Sequence, residues 1–241
     1  MKGRLQQMIQ DILGIHPDKI NIIPSSIPLE TQIEYFETAK KVKENINFET
    51  VLQNANWLFN SDISIADKKW LLAQLASISQ PEAYRLIEKY LQNPDNDLAD
   101  WARLAFIESR ILLESEYLNE NHIIISSGLG GENNSLRYFV VFKVQNESFT
   151  EGQQKLFEIE ASTLIEAKKG KVEEIAFIFP YICLTTLLPF SEDLKELFKA
   201  IIEASKEYQI KLMERFIITN VKKLTTTEIN HFFENQKDEK D

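Results

Sequence analysis

Ile123-Ile124-Ile125-Ser126-Ser127-Gly128-Leu129-Gly130-Gly131-Glu132-Asn133-Asn134-Ser135-Leu136-Arg137-Tyr138-Phe139-Val140-Val141-Phe142-Lys143-Val144 is the stretch at which the apolar rhythm of the chain changes. Two β-branched and aromatic runs flank one polar, glycine-bearing connection. That pattern predicts a β-hairpin with a long loop, the strand from Ile123 to Ser126 against Leu136 to Val144. Before it, apolar residues recur every third or fourth position, the period of a helix face; after it, short strands and helices alternate. The expected fold class is therefore α+β. A helical part covers 1–118, a mixed part with an extra N-terminal strand covers 119–235, and 236–241 is a frayed, charged tail.

Working back from the hairpin, Leu98 to Leu118 reads as a long helix with Trp101, Leu104, Ala105, Ile111 and Leu112 on one face. Asn93 to Asp97 is a turn. Pro81 suits the first turn of a helix carrying Ala83, Leu86, Ile87, Tyr90 and Leu91. Helices are also expected over Asp67 to Ser79, over Phe48 to Phe59 with Asn47 as cap, and over Thr31 to Glu44. Three X-Pro steps between Ile15 and Pro28 predict an extended connector, preceded by a short helix with Leu5, Met8, Ile9, Ile12 and Leu13 in one stripe.

Working forward, Thr150 with Gln153 is a capping box for a helix that Gly170 ends. Val172 to Ile178 and Ile182 to Leu188 are strands around Phe179-Pro180. Ser191 is the expected cap of the helix bearing Leu194, Leu197, Phe198 and Ile201. Leu212 to Val221 is the last strand, and Thr225 to Asn235 a closing helix.

Two resemblances follow. Lys69 to Ala83, with its Gln80-Pro81-Glu82-Ala83 step, resembles one unit of HEAT-type helical repeats, and Asp97 to Ala105 looks like the start of the next. That resemblance implies a stacked helical surface that binds other proteins. From Leu136 onward the order strand, helix, strand, strand, helix, strand is similar to the ferredoxin-like plan, which implies a sheet with both helices on one face and a central first strand, so that Ile123 to Ser126 either pairs with only one end of a long, bent strand Leu136–Val144 or the strand order departs from the plan. Domains of the ACT type share this order and bind small ligands. Leu136-Arg137-Tyr138-Phe139-Val140-Val141-Phe142 also resembles the stacking strand of RNA-recognition motifs, without that motif's glycines.

Composition narrows the function classes. With 241 residues, 44% hydrophobic and 27% charged, the chain suits ordinary globular folding. A net charge of -10 repels nucleic-acid backbones, so no nucleic-acid partner is expected. No apolar run is long enough to span a bilayer, and Met1 to Gln7 lacks the apolar core of a signal peptide; no membrane partner and a cytoplasmic location are expected. Cys183, the single cysteine, sits in an apolar run and reads as a small buried hydrophobe.

Catalytic patterns are missing from the linear sequence. His16, His122 and His231 are far apart, and Asp95, Asp97 and Asp100 lack the glycine and terminal Glu of a calcium loop, so capping explains them better. Neither a metal nor a cofactor is expected. Trp57, Trp70 and Trp101 read as packing residues. Lys222 and Lys223 with Lys211 and Arg215 form a local basic cluster, for which the acidic helical half is the favoured partner. The best candidate contact is the loop of Gly128, Gly130, Gly131, Glu132, Asn133 and Asn134, whose glycines let backbone N–H groups turn toward a ligand or partner. The expected role is a non-enzymatic protein-interaction or scaffold module with another protein as partner. The alternative is a small-molecule sensing domain of the ACT type.

Overall fold

The structure, a computed structural model, describes residues 19–24, 26–44, 47–120, 122–132, 134–146 and 148–234. The expected helix over 5–13, Asn133 and the tail 236–241 lie outside them. The described chain divides into two compact units: a helical unit of 19–23 with Ile27–Ser126, and an α/β unit of Pro24–Ser26 with 127–234.

In the helical unit, α1 (Leu29–Glu44) buries Gln32, Tyr35, Ala39 and Val42, a run of three- and four-residue steps. Asn47 caps α2 (Phe48–Gln53) through a bond from the Thr50 N–H to its side chain. The single helix expected from Phe48 to Phe59 is broken: Asn54 closes α2 and Ala55–Phe59 continues as a 3-10 turn. Ser64 caps α3 (Ile65–Ala76), which starts two residues before the expected Asp67. Pro81 opens α4 (Pro81–Leu91), and α5 (Ala99–Leu118) ends at Asn119 in the left-handed region. Leu72, Leu75, Ile87, Trp101 and Ala105 lie in one apolar core. Trp101 also donates its indole N–H to the Lys69 carbonyl at 3.0 Å, which satisfies its only polar atom.

The hairpin expected across 123–144 does not form. Strand β2 (His122–Ile125) pairs in parallel with β1 (Lys19–Ile22), from Lys19 opposite His122 to Ile22 opposite Ile125. The connector of X-Pro steps thus contains a strand. The reason lies in the α/β sheet. Strand β4 (Ser135–Val144) is central, and both of its edges are taken: β6 (Tyr181–Pro189) on one side, β7 (Leu212–Thr219) and the two-residue β3 (Gly131–Glu132) on the other. No edge is left for β2. The glycine loop still closes a hairpin, but a minimal one in which Gly131 faces Leu136 and Glu132 faces Ser135.

Outermost beside β6 lies β5 (Lys171–Ile178), so the antiparallel order is β5-β6-β4-β7. With helix α6 (Glu151–Ala167) after β4 and α7 (Leu194–Glu207) after β6, order and connectivity follow the split βαβ plan. The expected capping box of α6 is present at Thr150 and Gln153. The cap of α7 is Asp193 rather than Ser191. Alternation along β4 sends Phe142 to one face, where its ring meets Phe157 of α6 and Phe198 of α7. Phe139 and Val141 point to the other face. That face is covered by α8 (Thr226–Glu234) through Ile229 and Phe233.

Candidate functional site

The glycine loop is buried through most of its length: Ser127, Gly128, Leu129, Gly130 and Gly131 are enclosed, while Glu132 and Asn134 are exposed. Its amides are engaged within the unit. The Leu129 N–H donates to the Asn220 carbonyl at 2.9 Å, and the Gly130 N–H to the Ser127 carbonyl at 3.1 Å. Its carbonyls are engaged as well. Gly128 O accepts from the Ser26 hydroxyl, Leu129 O from the Arg137 guanidinium at 2.7 Å, and Gly130 O from the Arg137 N–H at 3.0 Å. Arg137 is fixed in turn by two bonds to Glu173, which hold that carboxyl below its usual range.

Both inner glycines have a steric reason. A Cβ on Gly128 would lie 1.8 Å from the Val221 carbonyl oxygen. Gly130 has φ 69°, in the left-handed region that side chains disfavour. The loop therefore braces the start of the connector to α8, and its exposed tip at Glu132 and Asn134 is what remains accessible. Asn133 lies outside the described residues.

The other sequence candidates resolve locally. Lys222 pairs with Glu228 at 2.5 Å and Lys223 with Glu174, so these two lysines meet acids of their own unit. The Glu228 carboxyl is pushed down to about 2 by Lys222 first and the Thr225 N–H second. Cys183 is buried, and desolvation raises its thiol to about 11, the reverse of an activated nucleophile. His122 meets Glu120 at 3.1 Å. No group of three His, Cys, Asp or Glu that could hold a metal ion occurs among the described residues. No helix among them is long and apolar enough to cross a membrane.

Asp95 is not a cap. It accepts from the buried Lys68 ammonium at 2.7 Å and from the Tyr90 hydroxyl at 2.6 Å. A second tie in the same unit runs from Tyr35 to Glu108 at 2.6 Å, with Lys43 on the other carboxylate oxygen at 2.7 Å. Burial first, and Glu108 second, raise the Tyr35 hydroxyl well above its ordinary value.

Two further features carry no linear signature. Phe48, Trp57, Phe59, Ile65 and Trp70 are 52%, 47%, 44%, 38% and 43% exposed, so Trp57 and Trp70 do not pack as Trp101 does. All five fall within one short segment. In the α/β unit a concave polar groove of about 920 Å³ is lined by Gln145, Asn146, Gln153, Lys206, Gln209 and Lys211, with Leu212 and Glu214. Asn146 is committed at both ends, to the Gln209 carbonyl and the Lys211 N–H, and Gln153 donates to the Tyr208 carbonyl. Helix and strand ends build this groove, which is why no linear motif marks it.

No protein-family model matches the chain, and no curated protein matches it significantly. Several solved structures are similar over part of it, three of them as follows. A transposase-like protein from Deinococcus radiodurans R1 is 12% identical, with 44% of this chain and 94% of that one covered and a TM-score of 0.38. A REP-associated tyrosine transposase bound to a REP hairpin is 11% identical, with coverage of 42% and 63% and a TM-score of 0.32. The intact alpha subunit of aIF2 from Pyrococcus abyssi is 14% identical, with coverage of 76% and 66% and a TM-score of 0.30.

Proposed function

We propose that the chain is a non-enzymatic protein-interaction module whose contact surface lies on the helical unit between Phe48 and Trp70. The observation that carries this is the concentration there of five large apolar side chains, each more than a third exposed. Grouped aromatic side chains left in water are characteristic of surfaces that a partner desolvates, and Trp is the residue most enriched at the energetic centres of such contacts. Helices α3, α4 and α5 follow one another through short turns, which supports the HEAT-like reading of this unit as a stacked binding surface. In the α/β unit, Glu132 and Asn134 at the tip of the glycine loop are an additional contact on this reading.

The test compares the full chain with Trp57→Ser/Trp70→Ser in quantitative capture from extracts of the cells that make it. Proteins retained by the parent and lost by the double variant are the expected result. Identical capture by both, with a defined metabolite copurifying, overturns the proposal.

The polar groove favours a second reading, a small-molecule sensing role of the ACT type. Its volume falls within the roughly 300–1,000 Å³ of ligand sites, although its lining is far more polar than most. Thermal-shift screening against amino acids and nucleotides decides it: stabilisation abolished by Lys211→Gln supports the groove, and no stabilisation removes it.

A further inference from the structure

We infer that the outward side of α6 is a docking surface for α6 of a second copy of this chain, the two helices running parallel and meeting along Leu156 and Ile159, with Lys155 of each copy against Glu160 of the other. This inference is independent of the helical-unit surface proposed above.

Helices α6 and α7 cover the same face of the sheet, yet their outer sides differ. Along α7 the exposed positions are charged but for Ala200: Lys195, Glu196, Lys199, Glu203, Lys206 and Glu207. Along α6 the exposed residues include Gly152, Leu156, Ile159 and Thr163, in steps of four, three and four. That spacing draws one stripe along a helix, half a turn away from the buried Phe157, Ala161 and Ile165. The sheet already takes the inner side of α6, so packing within this unit does not call for Leu156, 41% exposed, or Ile159, 64% exposed.

The ends of the stripe suit a close neighbour. The Thr163 hydroxyl donates to the Ile159 carbonyl at 2.7 Å, so it asks nothing of water. A Cβ on Gly152 would meet nothing nearer than the Thr150 hydroxyl at 3.8 Å. Unlike Gly128, this glycine has no steric reason within its own unit, and glycine in a helix is a weak choice. The approach of a second helix supplies the reason, since a missing Cβ lets another backbone come near.

Charge selects the occupant. With Leu156 and Ile159 on the seam of a heptad frame, Lys155 and Glu160 flank it on opposite sides. Two parallel copies bring Lys155 of one to Glu160 of the other, twice over by the two-fold. An antiparallel pair would set Lys155 against Ser162 and make neither contact. Within one copy, Glu160 accepts from the Tyr208 hydroxyl at 3.1 Å. Glu166, at the next seam position, ends the stripe. The contact is therefore short, and the dimer is a weak one that depends on concentration.

Sedimentation velocity of the full chain, from low to high micromolar concentration, should show a monomer–dimer equilibrium. Ile159→Glu, at an exposed site, should weaken the dimer at least tenfold, with circular dichroism and the urea midpoint of dilute protein unchanged. Gly152→Leu should weaken it too while the dilute urea midpoint holds or rises, a combination that a merely structural glycine would not give. Lys155→Glu should weaken association several-fold, and Lys155→Glu/Glu160→Lys should restore it. Trp57→Ser/Trp70→Ser should leave it intact. A chain that stays monomeric throughout, a dimer indifferent to Ile159→Glu, or a charge exchange that fails to restore association overturns the inference. A monomeric chain whose Ile159→Glu variant loses a captured protein overturns it as well, and assigns the stripe to that protein.

Discussion

In the helical unit the buried polar side chains include Lys68 and Glu108, whereas in the α/β unit the buried polar side chains among the described residues are hydroxyls: Ser127, Thr185, Thr186 and Ser205. The difference follows from how each architecture fixes its register. A helix satisfies its backbone internally, so nothing in the main chain tells one helix where to stop sliding along the next. Tyr35 with Glu108 ties α1 to α5, and Lys68 with Asp95 ties α3 to the turn before α5; each is a long-range polar contact at a defined point. A sheet writes its register into the backbone ladder, since a one-residue slip would turn every side chain of β4 to the wrong face. Its buried hydroxyls need only patch local carbonyls, as Thr186 does for Lys171 and Ser205 for Ile202.

The largest effect should come from breaking the tie that encloses a charge. The Lys68 side chain is 3% exposed and Asp95 37%. Asp95→Ala leaves the ammonium and the Tyr90 hydroxyl without their acceptor, and should destabilise the helical unit by about 3 kcal/mol. Trp57, Trp70 and Trp101 all belong to this unit, so tryptophan fluorescence in urea reads it directly. The double replacement Lys68→Met/Asp95→Leu should recover most of that loss, because an apolar pair needs no desolvated charge. If the tie sets register, the recovered protein will show weaker amide protection in α3 and α5 than the parent. Full protection would break the comparison, and would make the buried charge incidental.

The same contrast explains what the sequence displays and what it hides. The buried faces of α4 and α5, the Asn47 and Thr150 caps and the Pro81 start are local, and these are where periodicity and capping chemistry place them. The pairing of β1 with β2 is not local. Lys19–Ile22 looks like one more extended connector until its partner a hundred residues away is known. The glycines of the candidate loop do mark a tight passage, but a tight passage and an anion nest need the same residues. Only the destination of the Leu129 and Gly130 amides separates them. Trp57, Trp70 and Trp101 sit on similar stripes in sequence; what distinguishes Trp101 is a bond to Lys69, which a linear reading does not contain.

A smaller effect tests the α/β side. Gly130 holds φ 69°, and its carbonyl accepts from both the Ser127 hydroxyl and the Arg137 N–H. Gly130→Ala should destabilise this unit by about 1 kcal/mol, the strain of a Cβ in the left-handed region. Far-UV circular dichroism in urea should show the shift, with the tryptophan transition of the helical unit as the internal reference. A loss as large as that of Asp95→Ala would mean that the loop does more than brace a connector.

The smallest effect is a dependence on acid, and its sign is fixed by the direction of the shifts. Asp95 is held below the ordinary carboxylate range, first by the bond from Lys68 and next by that from Tyr90. Glu173 is lowered in the α/β unit, first by its bond from Arg137. A carboxyl whose folded pKa is depressed binds its proton more readily when unfolded. Its contribution is therefore complete above the unfolded value of about 3.9–4.3 and is lost as pH falls through the folded value. The urea midpoint from tryptophan fluorescence should thus hold steady from neutral pH to about pH 5 and fall below about pH 4. Because Asp95 is more than a third exposed, water screens part of the interaction and the fall should be shallower than the loss in Asp95→Ala. In Asp95→Asn that portion of the fall should vanish from the fluorescence curve, while the acid response of the α/β unit through Glu173 persists in circular dichroism. An unchanged fluorescence fall in Asp95→Asn would show that another carboxylate of the helical unit carries its acid sensitivity, and the Lys68 tie would then differ from the hydroxyl contacts of the sheet in burial alone.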